Sequence, residues 1–169
     1  MKKLLFVLLF IPLMSFSQEI TFDELMSINS TDSFKRVVIE NGFEFQAIED
    51  DIFIWYGFEL TKTNEGDRAT KWAMYNKGSG TLAQKNSIST FAQSLAIFKF
   101  VKKDILIKLE YNQIVSDIKS KCEYVKIDGK YATYNCSESS FNGTIGIMSE
   151  NGAGYVRIKP PGNDLAIYQ

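Results

Sequence analysis

Apolar positions along this chain recur with two periods, one near four residues and one of two, and the switches between them mark its elements. Thr21-Phe22-Asp23-Glu24 has the form of a capping box, in which Thr21 accepts from the third amide and Glu24 reaches back. It predicts a short helix from Phe22 to about Ile28. Ser30 or Thr31 caps a second helix, with Asp32 in its first turn and Phe34, Val37 and Val38 on one face. Asn41-Gly42 ends it, since glycine suits the left-handed position that closes a helix.

Strand patterns follow. Phe43 to Ile48 reads as one strand, Glu49-Asp50-Asp51 as a turn, and Ile52 to Leu60 as a second strand, apolar on both faces and therefore central. Thr63 to Asp67 is a polar loop and Ala69 to Tyr75 a third strand. Gly78-Ser79-Gly80 opens a loop running through Ser89, and Ser94 to Val101 is a fourth strand. Lys102-Lys103-Asp104 breaks the pattern. Ile105 to Leu109 fits either strand or helix, and its isoleucines lean towards strand. Asn112 is placed to cap a helix to about Lys121, with Ile114, Val115 and Ile118 inward.

The last third alternates again. Asp128-Gly129, flanked by alternating aromatic and aliphatic residues, predicts a hairpin between Cys122 and Cys136. Thr144 to Ser149 and Gly154 to Lys159 form a second hairpin around Asn151-Gly152, and Pro160-Pro161-Gly162 ends the sheet. The order is helix, strands, helix, strands. It predicts an α+β fold: an antiparallel sheet covered on one face by helices. A shift of 79 residues aligns the two halves without a gap, with Phe43 facing Cys122, Ile48 facing Ile127 and Trp55 facing Tyr134. A tandem duplication, with halves 18–101 and 102–169, is one expectation from this match.

The start of the chain changes the picture of where it works. Lys2 and Lys3 precede an apolar run from Leu4 to Met14, and Ser15-Phe16-Ser17 offers small residues to a signal peptidase. A membrane-spanning helix needs roughly 20 apolar residues, about twice this run. Residues 1–17 are therefore expected to be a signal peptide cleaved before Gln18. A single α+β domain of 18–169 would be left in the periplasm or outside the cell, with no transmembrane segment. The mature chain would carry 17 basic and 20 acidic residues, a net charge of −3. That balance offers nothing to neutralise phosphates and argues against a nucleic-acid partner.

Histidine is absent from the chain. This excludes Ser-His-Asp and Cys-His catalysis and histidine-bearing zinc or haem sites. Ser116-Asp117-Ile118-Lys119 matches S-x-x-K, but the S-D-N and K-T-G elements that serine β-lactamases also need are missing; the nearest text is Lys62-Thr63-Asn64. Glu49-Asp50-Asp51 lacks the spacing of a calcium loop, and Gly78-Ser79-Gly80 is neither a phosphate loop nor a nucleophile elbow. Asn29, Asn135 and Asn142 begin glycosylation sequons, which carry no weight in a chain of bacterial style. No cofactor or metal and no enzymatic activity is expected; a hydrolase using carboxylates alone is the remaining alternative, and the spacing nominates no pair for it.

Two features remain. Cys122 and Cys136 are placed to bond across the hairpin in an oxidising compartment; two buried thiols or a redox pair are the alternatives. Trp55, Tyr56 and Trp72 are the candidate binding residues, with core packing the competing reading that burial statistics favour. Residues 55 and 56 point to opposite faces of a strand, so one of them is expected on the uncovered side, where aromatics anchor interfaces.

Helices followed by an antiparallel sheet, twice over, resemble the fold of secreted β-lactamase-inhibitor proteins and of small outer-membrane assembly lipoproteins. The lipidated cysteine of the lipoproteins is missing here, and the inhibitors' binding residues do not map onto this chain. The exported start and Tyr111-Asn-x-Ile-Val-x-x-Ile-Lys-x-x-Cys122 also resemble small exported bacterial proteins of uncharacterised role. The expected function is non-enzymatic binding of another envelope or extracellular protein through the open sheet face. The alternative is a small-ligand or lipid binder with an apolar pocket between sheet and helices.

Overall fold

In the computed structural model of the chain, residues 19–77, 83–84, 87–88, 95–136 and 143–159 are described. The expected signal peptide with its expected cleavage site, the Gly78-Ser79-Gly80 loop, Asn142 and Pro160-Pro161-Gly162 lie outside these residues. Among the described residues there are three helices, α1 (Phe22–Met26), α2 (Thr31–Glu40) and α3 (Ile105–Lys121). The strands are β1 (Phe43–Glu49), β2 (Phe53–Phe58), β3 (Lys71–Asn76), the two-residue β4 (Ala83–Gln84) and β5 (Ser87–Ile88), β6 (Leu95–Val101), β7 (Glu123–Asp128), β8 (Tyr131–Asn135), β9 (Thr144–Glu150) and β10 (Ala153–Lys159).

Eight strands form one antiparallel sheet in the order β1-β2-β3-β6-β10-β9-β8-β7, and β4 pairs with β5 alone. The fold class is α+β. A helix precedes each four-strand meander, α2 before β1-β2-β3-β6 and α3 before β7-β8-β9-β10, and the meanders join where β6 pairs with β10. Both outer strands bulge at matching places, between Phe45 and Ala47 in β1 and between Tyr124 and Lys126 in β7. Beside each bulge an edge-to-face aromatic pair spans the strands: Phe45–Tyr56 at 5.7 Å and Tyr124–Tyr134 at 5.6 Å. The shift of 79 holds through β1 and β7 and then slips. Three residues lie between the paired Glu49 and Phe53, and two between Asp128 and Tyr131. Tyr56, not Trp55, therefore occupies the place that Tyr134 has in the second half.

The local signals fold as their chemistry dictates. Thr21 Oγ1 accepts from the Glu24 amide at 3.2 Å while Glu24 accepts from the Thr21 amide, which completes the capping box of α1. Ser30 caps α2, and Gly42 takes φ 72° just beyond its end. Asn151 and Gly152, both at positive φ, close the β9–β10 hairpin, as the primed turns of tight hairpins require.

Ile105 to Leu109 departs from the strand expectation: it is the start of α3, and Asp104 rather than Asn112 caps that helix. Asp104 Oδ1 accepts from the Leu106 amide at 2.7 Å and the Ile107 amide at 3.4 Å. Ile107, Tyr111, Ile114 and Ile118 then fall on one buried face. A cap plus this packing outweighs the weak β preference of isoleucine.

The core lies between the helices and one sheet face. Phe34 of α2 packs on Tyr56, Tyr75 and Phe98 with ring centroids 5.0–6.0 Å apart, and Tyr111 of α3 packs on Phe100 at 5.7 Å. Cys122 and Cys136 form a disulfide with Cα atoms 4.4 Å apart. It joins the end of α3 to the end of β8. One ion pair is buried in this layer: Lys71 donates to both Glu110 oxygens at 3.1 and 3.0 Å, and the Ile20 amide donates to Oε1 at 2.8 Å. Burial pushes the Glu110 carboxyl up, while Lys71 and the Ile20 amide pull it down; burial prevails.

Candidate binding groove on the open sheet face

Alternation along β2 turns Ile54 and Tyr56 towards the helices and Trp55 away from them. Tyr56 is 5% exposed and packs edge-on against Phe34, and burial pushes its phenol up. Of the divided pair Trp55 and Tyr56, Tyr56 is therefore the core member, and among the candidate binding residues it lies on the covered face. Trp55 and Trp72 are both half-buried and share the opposite, open face.

The register places their neighbours. Trp55 faces Met74 across β2 and β3, Met74 faces Ile97 of β6, and Ile97 faces Arg157 of β10. One step along, Trp72 faces Lys99 and Lys99 faces Tyr155. Apart from Arg157, these side chains, with Gln46, Glu49 and Asp67, line a groove of about 490 Å³. Its floor is sulfur, aliphatic and indole surface, and its rim is charged. Glu49 Oε2 accepts from Trp55 Nε1 at 3.0 Å, which fixes the indole plane. Gln46 sits at the β1 bulge and donates to Asp67 at 3.4 Å, so the bulge aims a polar group at the groove. The Lys99 ammonium stands 5.9 Å from the centre of the Tyr155 ring.

The second half of the same face is built differently. Gly146 occupies the position on β9 facing Arg157, and a Cβ there would stand 3.1 Å from the Tyr131 Cβ. The missing side chain leaves room for the Arg157 guanidinium to lie 4.2 Å over the Tyr131 ring. Arg157 and Lys159 both donate to Asp128 Oδ2. The hydrogen bond from Lys159, with that from Arg157, holds the Asp128 carboxyl below its usual range against the opposing effect of burial. One half of the face thus gathers two cations on a single carboxylate, and the other presents an aromatic groove lined by Glu49, Asp67 and Lys99.

The strand pattern brings Trp55 and Trp72 together but does not single out Met74, Ile97, Lys99 and Tyr155. Each alternates correctly on its own strand; only the pairing of distant strands makes them neighbours. Ser116 and Lys119 are exposed on α3. Glu49, Asp50 and Asp51 are exposed, with Asp50 and Asp51 in a positive-φ turn. Among the described residues no group of three or more His, Cys, Asp or Glu is positioned to hold a metal ion, and no helix is long and apolar enough to cross a membrane. No family model, curated protein or solved structure matches the chain.

Proposed function

We propose that this chain is an exported binding protein whose open sheet face takes a segment of another protein in the Trp55–Trp72 groove. The observation that carries the reading is two tryptophans left half-exposed around one groove, with Glu49 and Asp67 on its rim. Aromatic faces attract cations, and desolvated indoles give interfaces much of their energy. The groove therefore suits a lysine or arginine of the partner, with its apolar stem on the indoles and its charge near the carboxylates. The basic-then-apolar start of the chain supports export, and the Cys122–Cys136 disulfide is at home in an oxidising compartment.

The space between sheet and helices favours the face over an interior ligand pocket. Phe34, Phe98, Phe100, Ile114, Ile118 and Ile145 fill it, each at most 1% exposed. The test is an array of extended peptides, with and without Lys or Arg, probed by the wild-type chain and by the Trp55→Ala/Trp72→Ala variant. Basic-apolar peptides should bind the wild type and bind the variant at least about tenfold more weakly, the scale of one interface anchor. Equal capture by both proteins, or no preference for basic peptides, would refute the reading.

A further inference from the structure

A second surface lies on the other side of the molecule. The first two turns of α3 carry apolar side chains on both the inner and the outer side: Ile107 faces the core, while Ile105, Leu106 and Leu109 are 63%, 53% and 55% exposed. Positions 105, 106 and 109 fall on one side of a helix. Lys103 and Lys108 are exposed beside them, and Lys102 lies at their edge, 3.2 Å from Ser149 and 5.1 Å from the centre of the Tyr111 ring. The acids nearby are engaged. Asp104 accepts from the amides at the start of the helix, and Glu150 pairs with Lys130. Further along, Asn112, Gln113 and Ser116 make the exposed side of α3 polar, and Asp117 accepts from Gln113.

We infer that this patch seats the protein on an anionic bilayer surface. Aliphatic side chains ringed by lysines are the composition of interfacial helices: the aliphatics enter the headgroup–acyl boundary and the ammonium groups meet anionic lipid. Protein interfaces, by contrast, are depleted in lysine and draw their energy from Trp, Tyr and Arg, which this patch lacks. The processed chain would carry a net charge of −3, so attraction to an anionic surface would come from this local cluster. Because α3 packs on the covered face of the sheet, seating it on a membrane leaves the Trp55–Trp72 groove facing away from the lipid.

The test is co-sedimentation of the exported, processed chain with vesicles of phosphatidylcholine alone and of phosphatidylcholine with phosphatidylglycerol in equal parts. The chain should sediment with the anionic vesicles and bind neutral ones at least about tenfold more weakly, with the anionic binding falling steeply in 0.5 M salt. Ile105→Ser/Leu109→Ser and, separately, Lys103→Glu/Lys108→Glu should each abolish sedimentation. All four side chains are exposed, so both variants should melt near the wild-type temperature. No binding to the anionic vesicles, or binding that survives both variants, would overturn the inference. So would a patch that fails on vesicles yet proves necessary for capturing a protein partner.

Discussion

The ring of Tyr111 packs against the backbone of Gly154, where a Cβ would stand 2.5 Å from ring atoms Cδ2 and Cε2. The phenol donates to the Met148 carbonyl at 2.8 Å. One glycine on β10 thus sets how closely α3 approaches the sheet. Gly154→Ala must push the ring or the helix outward, and overpacking of this kind costs about 1–3 kcal/mol. Pairing it with Tyr111→Leu should return part of that loss, a coupling that a double-mutant cycle in urea would measure. Strictly additive effects would mean that the ring has room to move.

The Cys122–Cys136 bond pins the outer strand β7, which has a neighbour on one side only. For a loop of 14 residues the entropic cost of leaving it open is about 3 kcal/mol. Cys122→Ser/Cys136→Ser should lose stability on that scale. Hydrogen exchange should quicken throughout the sheet by that global loss and by more than it at β7 and β8, through added local opening. Equal quickening in β7 and in β2 would mean that the bond does not pin the outer strand locally.

What the sequence reveals follows the range of each signal. Thr21, Ser30, Gly42 and Asn151-Gly152 act within a turn, so their elements are legible from neighbouring residues. Ile105 to Leu109 is not, because five residues fit both periods and the choice is made by Asp104 and by packing on β6 and β10. Trp55 and Tyr56 are legible as a divided pair, but which of them faces outward depends on where α2 docks. The groove itself joins residues 46 to 155 and exists only once β6 pairs with β3 and β10.

Lys71 and Glu110 are 1% and 2% exposed, and neither is foreseeable as a partner of the other from a separation of 39 residues. Removing one partner of a buried pair commonly costs about 3–5 kcal/mol. Lys71→Met should lose stability on that scale at neutral pH. Lys71→Met/Glu110→Gln should recover much of it, because glutamine keeps an acceptor for the Ile20 amide without a charge. Burial already holds the Glu110 carboxyl above its usual range. A raised folded-state pKa gives stability that is full below the unfolded value and lost as pH rises through the folded one. The deficit of Lys71→Met should therefore shrink as pH falls from 7 towards 4. Denaturant melts across that range would show it, and a constant deficit would mean that Glu110 does not titrate there.

Asp128 looks from sequence like a turn residue, yet its carboxylate holds Arg157 and Lys159 on the open face. Its pKa is lowered, chiefly by the hydrogen bond from Lys159, so the sign is opposite to that of Glu110. A depressed folded-state pKa gives stability that is present above the unfolded value and lost as pH falls through the folded one. The unfolded value is about 3.9, so the window lies below pH ~4. Asp128→Asn should destabilise the chain at pH 7, and its difference from the wild type should close as pH drops to about 2. Gly146→Ala offers a second handle. The added methyl crowds Tyr131 and approaches the Arg157 Nε to 3.4 Å, which should loosen the guanidinium from Asp128 and raise the carboxyl's pKa. Denaturant melts from pH 7 to about 2 check Asp128→Asn, and following the Asp128 carboxyl carbon by NMR during an acid titration of the wild type and Gly146→Ala checks the second variant. An unshifted midpoint in Gly146→Ala would mean that Asp128 is held low by Lys159 alone.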